Sequence, residues 1–365
     1  MDKGNWTYRK LGEVAESELG KTLDSKKNTG NLNPYLCAVN VQWDRFELDA
    51  LKEMKFEEWE KERYSIREGD LVVCEGGDIG RCAIWNKKET VLYQNALHRV
   101  RFNGEMLPRF CMYFLMNLKK SGELDAKYGK GVTIKHLVKS SLLSIPVPIP
   151  PLPIQQRIVA ELDCISSILE KKRQQLKELD NLAQAIFYDM FGDPVENEKG
   201  WEVKEFGDLI KLRSGQSLSA KNIVEGEFPV YGGNGIVGYH KEFNLEGNNI
   251  VIGRVGALCG NVRNVQGKIF VTDNAFILSK EEPIENVFLT SLLVLLNLRQ
   301  YARDAMQPVI SNSTLRNIKV ILPPLSLQQS FAAKIEAIEK QKERISQSIK
   351  EVQTLFDSRM EVYFG

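Results

Sequence analysis

The sequence has no apolar run of membrane-spanning length. Its best candidate, LLSIPVPIPPLPI, is broken by prolines, whereas a span needs about 18 or more consecutive apolar residues. The opening MDKGNWTYRK has no apolar segment, so no secretory signal is expected. Six cysteines, Cys37, Cys74, Cys82, Cys111, Cys164 and Cys259, never form Cys-x-x-Cys. Free thiols in a reducing cytoplasm are the expectation. Histidine is scarcer still: His98, His136 and His240 are the only three, and no two stand at metal-ligand spacing. A surplus of either charge is also missing, since 49 basic against 48 acidic residues leave a net charge of +1. Local patches rather than the sum must then decide whether a polyanion binds.

Catalytic and cofactor motifs are incomplete in the same way. ELGKT at 18–22 ends like a phosphate-binding loop, but Ala15 stands where the first glycine belongs; a turn glycine is the better account. NPYL at 33–36 lacks the second proline of an amino-methyltransferase tetrapeptide and reads as a plain turn. The glycine clusters EGGDIGR (75–81) and GRVGALCG (253–260) do not fit the dinucleotide pattern. They read as tight turns between strands that allow close approach to a phosphate or base edge, with Arg81 and Arg254 beside that approach. His98, in the strand-like QNALHRVRF, reads as a packed core residue. No Cys–His or Ser–His–Asp constellation is suggested.

What the chain does have is a repeat. PPLPIQQ at 150–156 returns as PPLSLQQ at 323–329, an offset of 173 residues that continues to the end of the sequence. Leu162 falls on Ile335, Ile165 on Ile338, Leu176 on Ile349, and Phe191-Gly192 on Phe364-Gly365. In the first copy Leu162, Ile165, Leu169, Leu176, Leu179, Ala183, Ile186 and Met190 step by threes, fours and sevens. That period buries one helix face along its whole length, and the heptad spacing points to pairing with a second helix. Prolines before each copy, and Gly192-Asp193-Pro194 after the first, punctuate the helices. From Gln155 to Met190 such a helix runs roughly 54 Å. Lys172 and Lys342 occupy seam positions, where polar residues either select register at some cost in stability or loosen the seam.

The regions between the helices repeat more faintly. Trp6…Leu11-Gly12 matches Trp201…Phe206-Gly207, DLVVCEGGDIG resembles NIVIGRVGALCG, and Asn95-Ala96 recurs as Asn274-Ala275. The first copy carries an extra, charged stretch at 41–64 that reads as a helical insertion; the second has VYGGNGIVGYH instead. The expected fold is α+β: two mixed α/β domains separated by two long antiparallel helices in a pseudo-twofold repeat. Its segments are 1–149, 150–192, 193–322 and 323–365. Antiparallel pairing would bring Gly365 near Met1.

The doubled P-P-L-x-x-Q-Q followed by a long helix ending in Phe-Gly resembles the specificity subunit of type I restriction–modification systems. VCEGGDIGRCAIW and YQNALHRVRF in the first region, and FPVYGGNGIVGYH and FVTDNAFIL in the second, carry the same resemblance. It implies two target-recognition domains, each reading one half of a bipartite asymmetric DNA target, with the helices as a spacer. It also implies a non-catalytic, cytoplasmic chain that docks two modification subunits and, through them, restriction subunits. S-adenosylmethionine, ATP and Mg would belong to those partners, with no cofactor in this chain. Candidate DNA contacts are Arg81, Lys130, Lys135 and His136 in the first region, and Asn234, Tyr239, His240, Arg254, Asn312 and Arg316 in the second. Candidate partner contacts are Leu152, Gln155 and Gln156 with Leu325, Gln328 and Gln329. The alternative is a helical scaffold with two peptide- or RNA-binding globules.

Overall fold

The computed structural model describes residues 6–24, 26, 28–219, 223, 226–303 and 308–365. The chain forms two units, Met1–Lys171 with Ile349–Gly365, and Lys172–Ser348. Each unit is built on a four-stranded antiparallel sheet. In the first the order is Ala15–Leu19, Leu97–Phe102, Leu71–Cys74, Cys82–Ile84; in the second it is Ile210–Ser214, Ala275–Lys280, Asn248–Gly253, Val262–Gln266. The central strands read as unbroken apolar runs because both faces are covered. Leu71 and Val73 enter the core beneath the helices, whereas Val72 and Cys74 face a second sheet, as strand alternation requires. Ile250 and Ile252 part from Val251 in the same way. A strand pair closes each unit: Thr7–Lys10 with Pro146–Ile149, and Val203–Glu205 with Lys319–Ile321.

The two long helices are Leu152–Phe191 and Leu325–Phe364, each of 40 residues. The first stops at Gly192, whose φ of +76° suits glycine and whose N–H caps Tyr188 O at 2.8 Å. Within the first unit, Leu162, Ile165 and Leu169 share a buried cluster with Phe356, Met360 and Tyr363. Arg359 and Tyr363 both reach Glu161, at 2.8 and 2.5 Å. Within the second unit, Phe187 and Phe191 pack on Phe331, with ring centroids 5.6 and 5.3 Å apart, and on Phe288. The start of each helix therefore lies beside the end of the other: the pairing is antiparallel. Lys342 sits in the seam as expected, and neutralises itself on Asp180 (2.8 Å) and Glu339 (2.9 Å). Met1 lies outside the described residues, but Trp6 and Phe364 both pack on the Phe110 ring, at 6.4 and 5.2 Å. No described helix is long and apolar enough to cross a membrane.

Three readings of the sequence are corrected. Residues 41–64 are not a helical insertion. They form the strands Val41–Gln42, Arg45–Phe46 and Lys52–Phe56, with one helical turn at Glu58–Lys61. The charges of KEMKF concealed a period of two, in which Met54 and Phe56 are buried and their neighbours are not. NPYL is no turn but part of strand Asn31–Leu36, with Tyr35 buried. Asn95 aligns with Asp273, not Asn274: Asn95 N donates to Lys21 O (2.9 Å) as Asp273 N does to Gln216 O (3.1 Å). The same alignment puts Lys21 opposite Gln216. Lys21 is buried, pairs with Glu60 and donates to Lys55 O at 3.0 Å, so it holds no phosphate.

Truncating Phe187 to Ala should destabilise the second unit by about 3–5 kcal/mol. Amide exchange under native conditions should show protection lost in residues 172–348 and kept in the sheet of the first unit.

Candidate nucleic-acid interface

In the first unit a short hairpin is closed by reciprocal bonds between Lys130 and His136, both 2.8 Å. Gly131, at φ +107°, makes the reversal possible, since a Cβ there would strike Ile134 O. At the tip Val132 is 99% and Ile134 63% exposed, although apolar side chains normally leave water. The hairpin lies against the glycine turn 74–81, because Leu137 N donates to Glu75 O at 2.7 Å. A Cβ on Gly76 would sit 3.5 Å from the His136 ring, an ordinary van der Waals contact, so the imidazole lies against the turn. Lys130, Lys135, His136 and Glu75 are thus brought together. Burial pushes the Glu75 carboxyl above its ordinary value, with nearby His136 opposing. Beneath the turn His98 is fully buried, its Nε2 2.8 Å from Leu137 O. Arg81 does not join this face. Its side chain is only 19% exposed and donates to Ala38 O at 3.0 Å, so it braces the turn from within.

The second unit repeats the frame with different side chains. Turn 253–260 is tied to the following segment by Ile310 N to Arg254 O (2.8 Å) and Gly256 N to Pro308 O (3.0 Å), and an Arg303–Val309 bridge stands where Lys130–His136 does. By these bonds Arg254 is the counterpart of Glu75, and Asn261 that of Arg81. The two arginines, each expected beside its glycine turn, lie at opposite ends of those turns. Turn Gly232–Gly235 presses on this one, since a Cβ on Gly253 would collide with Gly233 O. That leaves the exposed Asn234 beside Gly256. The Arg254 guanidinium lies 4.9 Å from the Phe276 ring centroid and donates to Ser214 Oγ at 3.0 Å.

The remaining expected contacts are dispersed. Tyr239 (52% exposed) and His240 lie at the other end of hairpin Phe228–His240, opposite Pro229 and Phe228. The His240 ring packs edge-on against Phe270, 5.4 Å away. Asn312 opens the short helix Asn312–Arg316, exposed and two residues beyond Ile310. Arg316 lies along Gly207, where a Cβ would come within 2.9 Å of its stem, as Leu143 lies along Gly12. It is therefore apart from the glycine turn. The expected partner residues also divide. Gln155 and Gln328 are buried and cannot form an outer surface. Gln155 accepts from Leu107 N (2.8 Å) and donates to Glu105 O (2.9 Å) and Pro150 O (2.8 Å); Gln328 accepts from Glu285 N (2.9 Å) and donates to Pro323 O (2.8 Å). Leu152, Gln156, Leu325 and Gln329 remain exposed. Sequence reasoning missed Glu75, Val132 and Ile134. An apolar pair within KGVTIKH, flanked by lysines, was the available signal for the last two.

This architecture defines an internally duplicated α+β protein whose two units present different side chains on one frame. The model for the type I restriction modification DNA specificity domain matches residues 3–180 and 198–354. The chain is 33% identical over 207 residues to the type I restriction enzyme EcoprrI specificity subunit of Escherichia coli, a match covering 53% of this chain and 51% of that one. It thus spans about half the length of that relative. It is 23% identical over 395 residues to the putative type I restriction enzyme MjaX specificity subunit of Methanocaldococcus jannaschii, covering 96% and 92%. The crystal structure of a type I restriction–modification S subunit from M. genitalium shares the fold, with a TM-score of 0.62 at 19% identity over 98% of this chain and 95% of that one. The chain belongs to the type I restriction modification DNA specificity domain family. Its members are specificity subunits, recognition proteins rather than catalysts.

Two outcomes follow. Replacing Gln155 or Gln328 by Ala strands buried backbone groups and should cost about 1–3 kcal/mol, read as a lower denaturant midpoint. Burial depresses the His98 pKa below its ordinary 6.5, with the bond to Leu137 opposing. The unfolded chain then takes up the proton first. Stability should hold above about pH 6.5 and fall as pH drops towards the folded-state pKa. His98→Gln should flatten that fall in pH-dependent unfolding.

Proposed function

We propose that the chain is the DNA-reading subunit of a type I restriction–modification complex, recognising a bipartite, asymmetric target in the cytoplasm. The observation that carries this reading is the substitution pattern on the shared frame. Glu75 is matched by Arg254, His136 by Val309, Lys139 by Asn312 and Leu143 by Arg316, at positions equated by backbone hydrogen bonds and by the 173-residue offset. A carboxylate accepts from cytosine N4, whereas arginine favours guanine O6 and N7. One frame with different side chains suits two different half-sites. Lys130 and Lys135 would lie on phosphate, positioning without specifying. Val132 and Ile134 suit insertion between base steps, as apolar wedges do in DNA-bending proteins.

On this reading the paired 40-residue helices are the spacer between readers, and the exposed Leu152, Gln156, Leu325 and Gln329 help seat two modification subunits. S-adenosylmethionine would bind those subunits, and ATP with Mg the restriction subunits, leaving this chain without a cofactor.

Methylation mapping with the modification subunit co-expressed tests the reading. A bipartite motif is expected. Removing one heptad from both helices shortens each by about 10.5 Å, so the unread gap should shrink by about three base pairs with both half-sites unchanged. Arg254→Ala should relax one base position in one half-site, whereas Lys130→Ala should weaken all sequences alike and lower the salt slope by about one. Altered half-sites in the heptad variant, or a motif without a gap, would defeat the proposal.

A further inference from the structure

The internal repeat provides its own control, because a feature present in one unit and missing from the other marks a place the shared frame leaves open. In the first unit 15 residues, 37–51, separate strands Asn31–Leu36 and Lys52–Phe56. Their hairpin, Val41–Gln42 with Arg45–Phe46, is tied to the edge strand Cys82–Ile84 by Asp44 N to Cys82 O at 3.1 Å. Trp43 packs on the core, and the Asp44 carboxylate takes both Arg109 Nη atoms at 2.6 and 2.7 Å. Arg109 Nε then reaches Asp163 of the long helix at 2.6 Å, and Tyr113 donates to the same oxygen at 2.6 Å. The hairpin is a plug, locked in by a guanidinium between two carboxylates.

The second unit has only Gly233 and Asn234 between the corresponding strands, Phe228–Gly232 and Gly235–His240. Its lock is dismantled as well. Asn264 faces Ile250 in the ladder as Ile84 faces Leu71. Counting from the matched bonds of Gln155 and Gln328, Val287 stands for Arg109, Thr290 for Met112 and Ser291 for Tyr113. Glu336 stands for Asp163 by the helix offset. What results is a groove of about 780 Å³ lined by these residues. Asn264 Oδ1 and Thr290 Oγ1 are buried there with no hydrogen-bond partner, a condition that costs free energy until a donor arrives. Glu339 and Glu343 add two carboxylates to Glu336; Glu339 is already paired with Lys342 at 2.9 Å, which leaves Glu336 and Glu343 to set the charge of the groove against the ammonium of Lys340.

We infer that this groove docks a turn of a modification subunit, one that brings a lysine or arginine to Glu336 and hydrogen-bond donors to Asn264. It is the chain's own plug with the charge reversed. The inference rests on the reading that modification subunits dock here, and it names where one of them inserts. Charge selects the occupant: a DNA phosphate would face the carboxylates of Glu336 and Glu343, and a second copy's hairpin would bring Asp44 against Glu336. It follows that two identical modification subunits meet inequivalent sites, one already filled from within and one open.

The test mixes the purified full-length chain with its co-expressed modification subunit and measures stoichiometry and affinity by sedimentation. Two variants carry it: Glu336→Arg reverses the attracting charge, and Val287→Arg supplies a guanidinium from within, restoring the pairing seen at Arg109 and Asp163. Thermal unfolding confirms that each variant folds. Each should bind one modification subunit normally and the other at least about thirtyfold more weakly. A photo-crosslinker at Ser291 should capture a Lys- or Arg-bearing turn of the modification subunit. Undiminished two-subunit assembly by both variants, or crosslinks only to DNA or a second copy of the chain, overturns the groove while leaving the reading beneath it standing. Failure of the wild-type chain to take up any modification subunit removes both.

Discussion

A buried amide at the root of each long helix governs the architecture. Gln155 and Gln328 carry both donors and an acceptor on one side chain. Each reaches back to a proline carbonyl at the head of its helix and across to the backbone where the globule's own helix begins. Packing alone would leave the angle between helix and globule adjustable, since apolar contact is not directional. Directed hydrogen bonds in a water-free setting fix it. Everything beyond the root, including the aromatic seam of Phe187, Phe191 and Phe331 and the ion pair of Lys342 with Asp180, presupposes that direction.

The two units differ where their frames agree most. The bond that ties turn 74–81 to Leu137 recurs between turn 253–260 and Ile310, yet Glu75 and Arg254 on the accepting side differ in charge, size and shape. Conserving backbone bonds while exchanging side chains lets a frame change what it reads without changing how it folds. Loop insertion does the same more coarsely. The first unit's extra residues fill its own cleft, and Arg109 is held charged there because hydrogen bonds to Asp44 and Asp163 outweigh the burial that works to lower its pKa.

The helices were legible because their signal is long: a 3.5–3.6 period sustained over 40 residues, repeated at a constant offset, has few other readings. The buried His98 was legible from its apolar neighbours. The 41–64 stretch was not, because Lys52, Glu53 and Lys55 swamp the alternation that buries Met54 and Phe56. Candidate contacts suffered from a different ambiguity. Arg81 closes its glycine run EGGDIGR whereas Arg254 opens GRVGALCG, so closeness to a glycine turn did not tell that they lie at opposite ends. The inward turn of Arg81 onto Ala38 depends on a partner 43 positions away, which no local pattern encodes. Val132 and Ile134 look like core in the sequence and stand in solvent in the structure.

The first unit takes its core from both extremities of the chain: Phe356, Met360 and Tyr363 pack among residues that precede Lys171. The second is drawn from one continuous stretch, 172–348. During translation the order of completion therefore inverts the order of synthesis. The leading half leaves the ribosome with a gap in its interior, and must wait roughly 10–40 s, at ~5–20 residues per second, for the segment that closes it. Apolar surface such as Phe110 and Phe114 stays uncovered for that interval, so the nascent chain is most vulnerable to aggregation in the half that is made first.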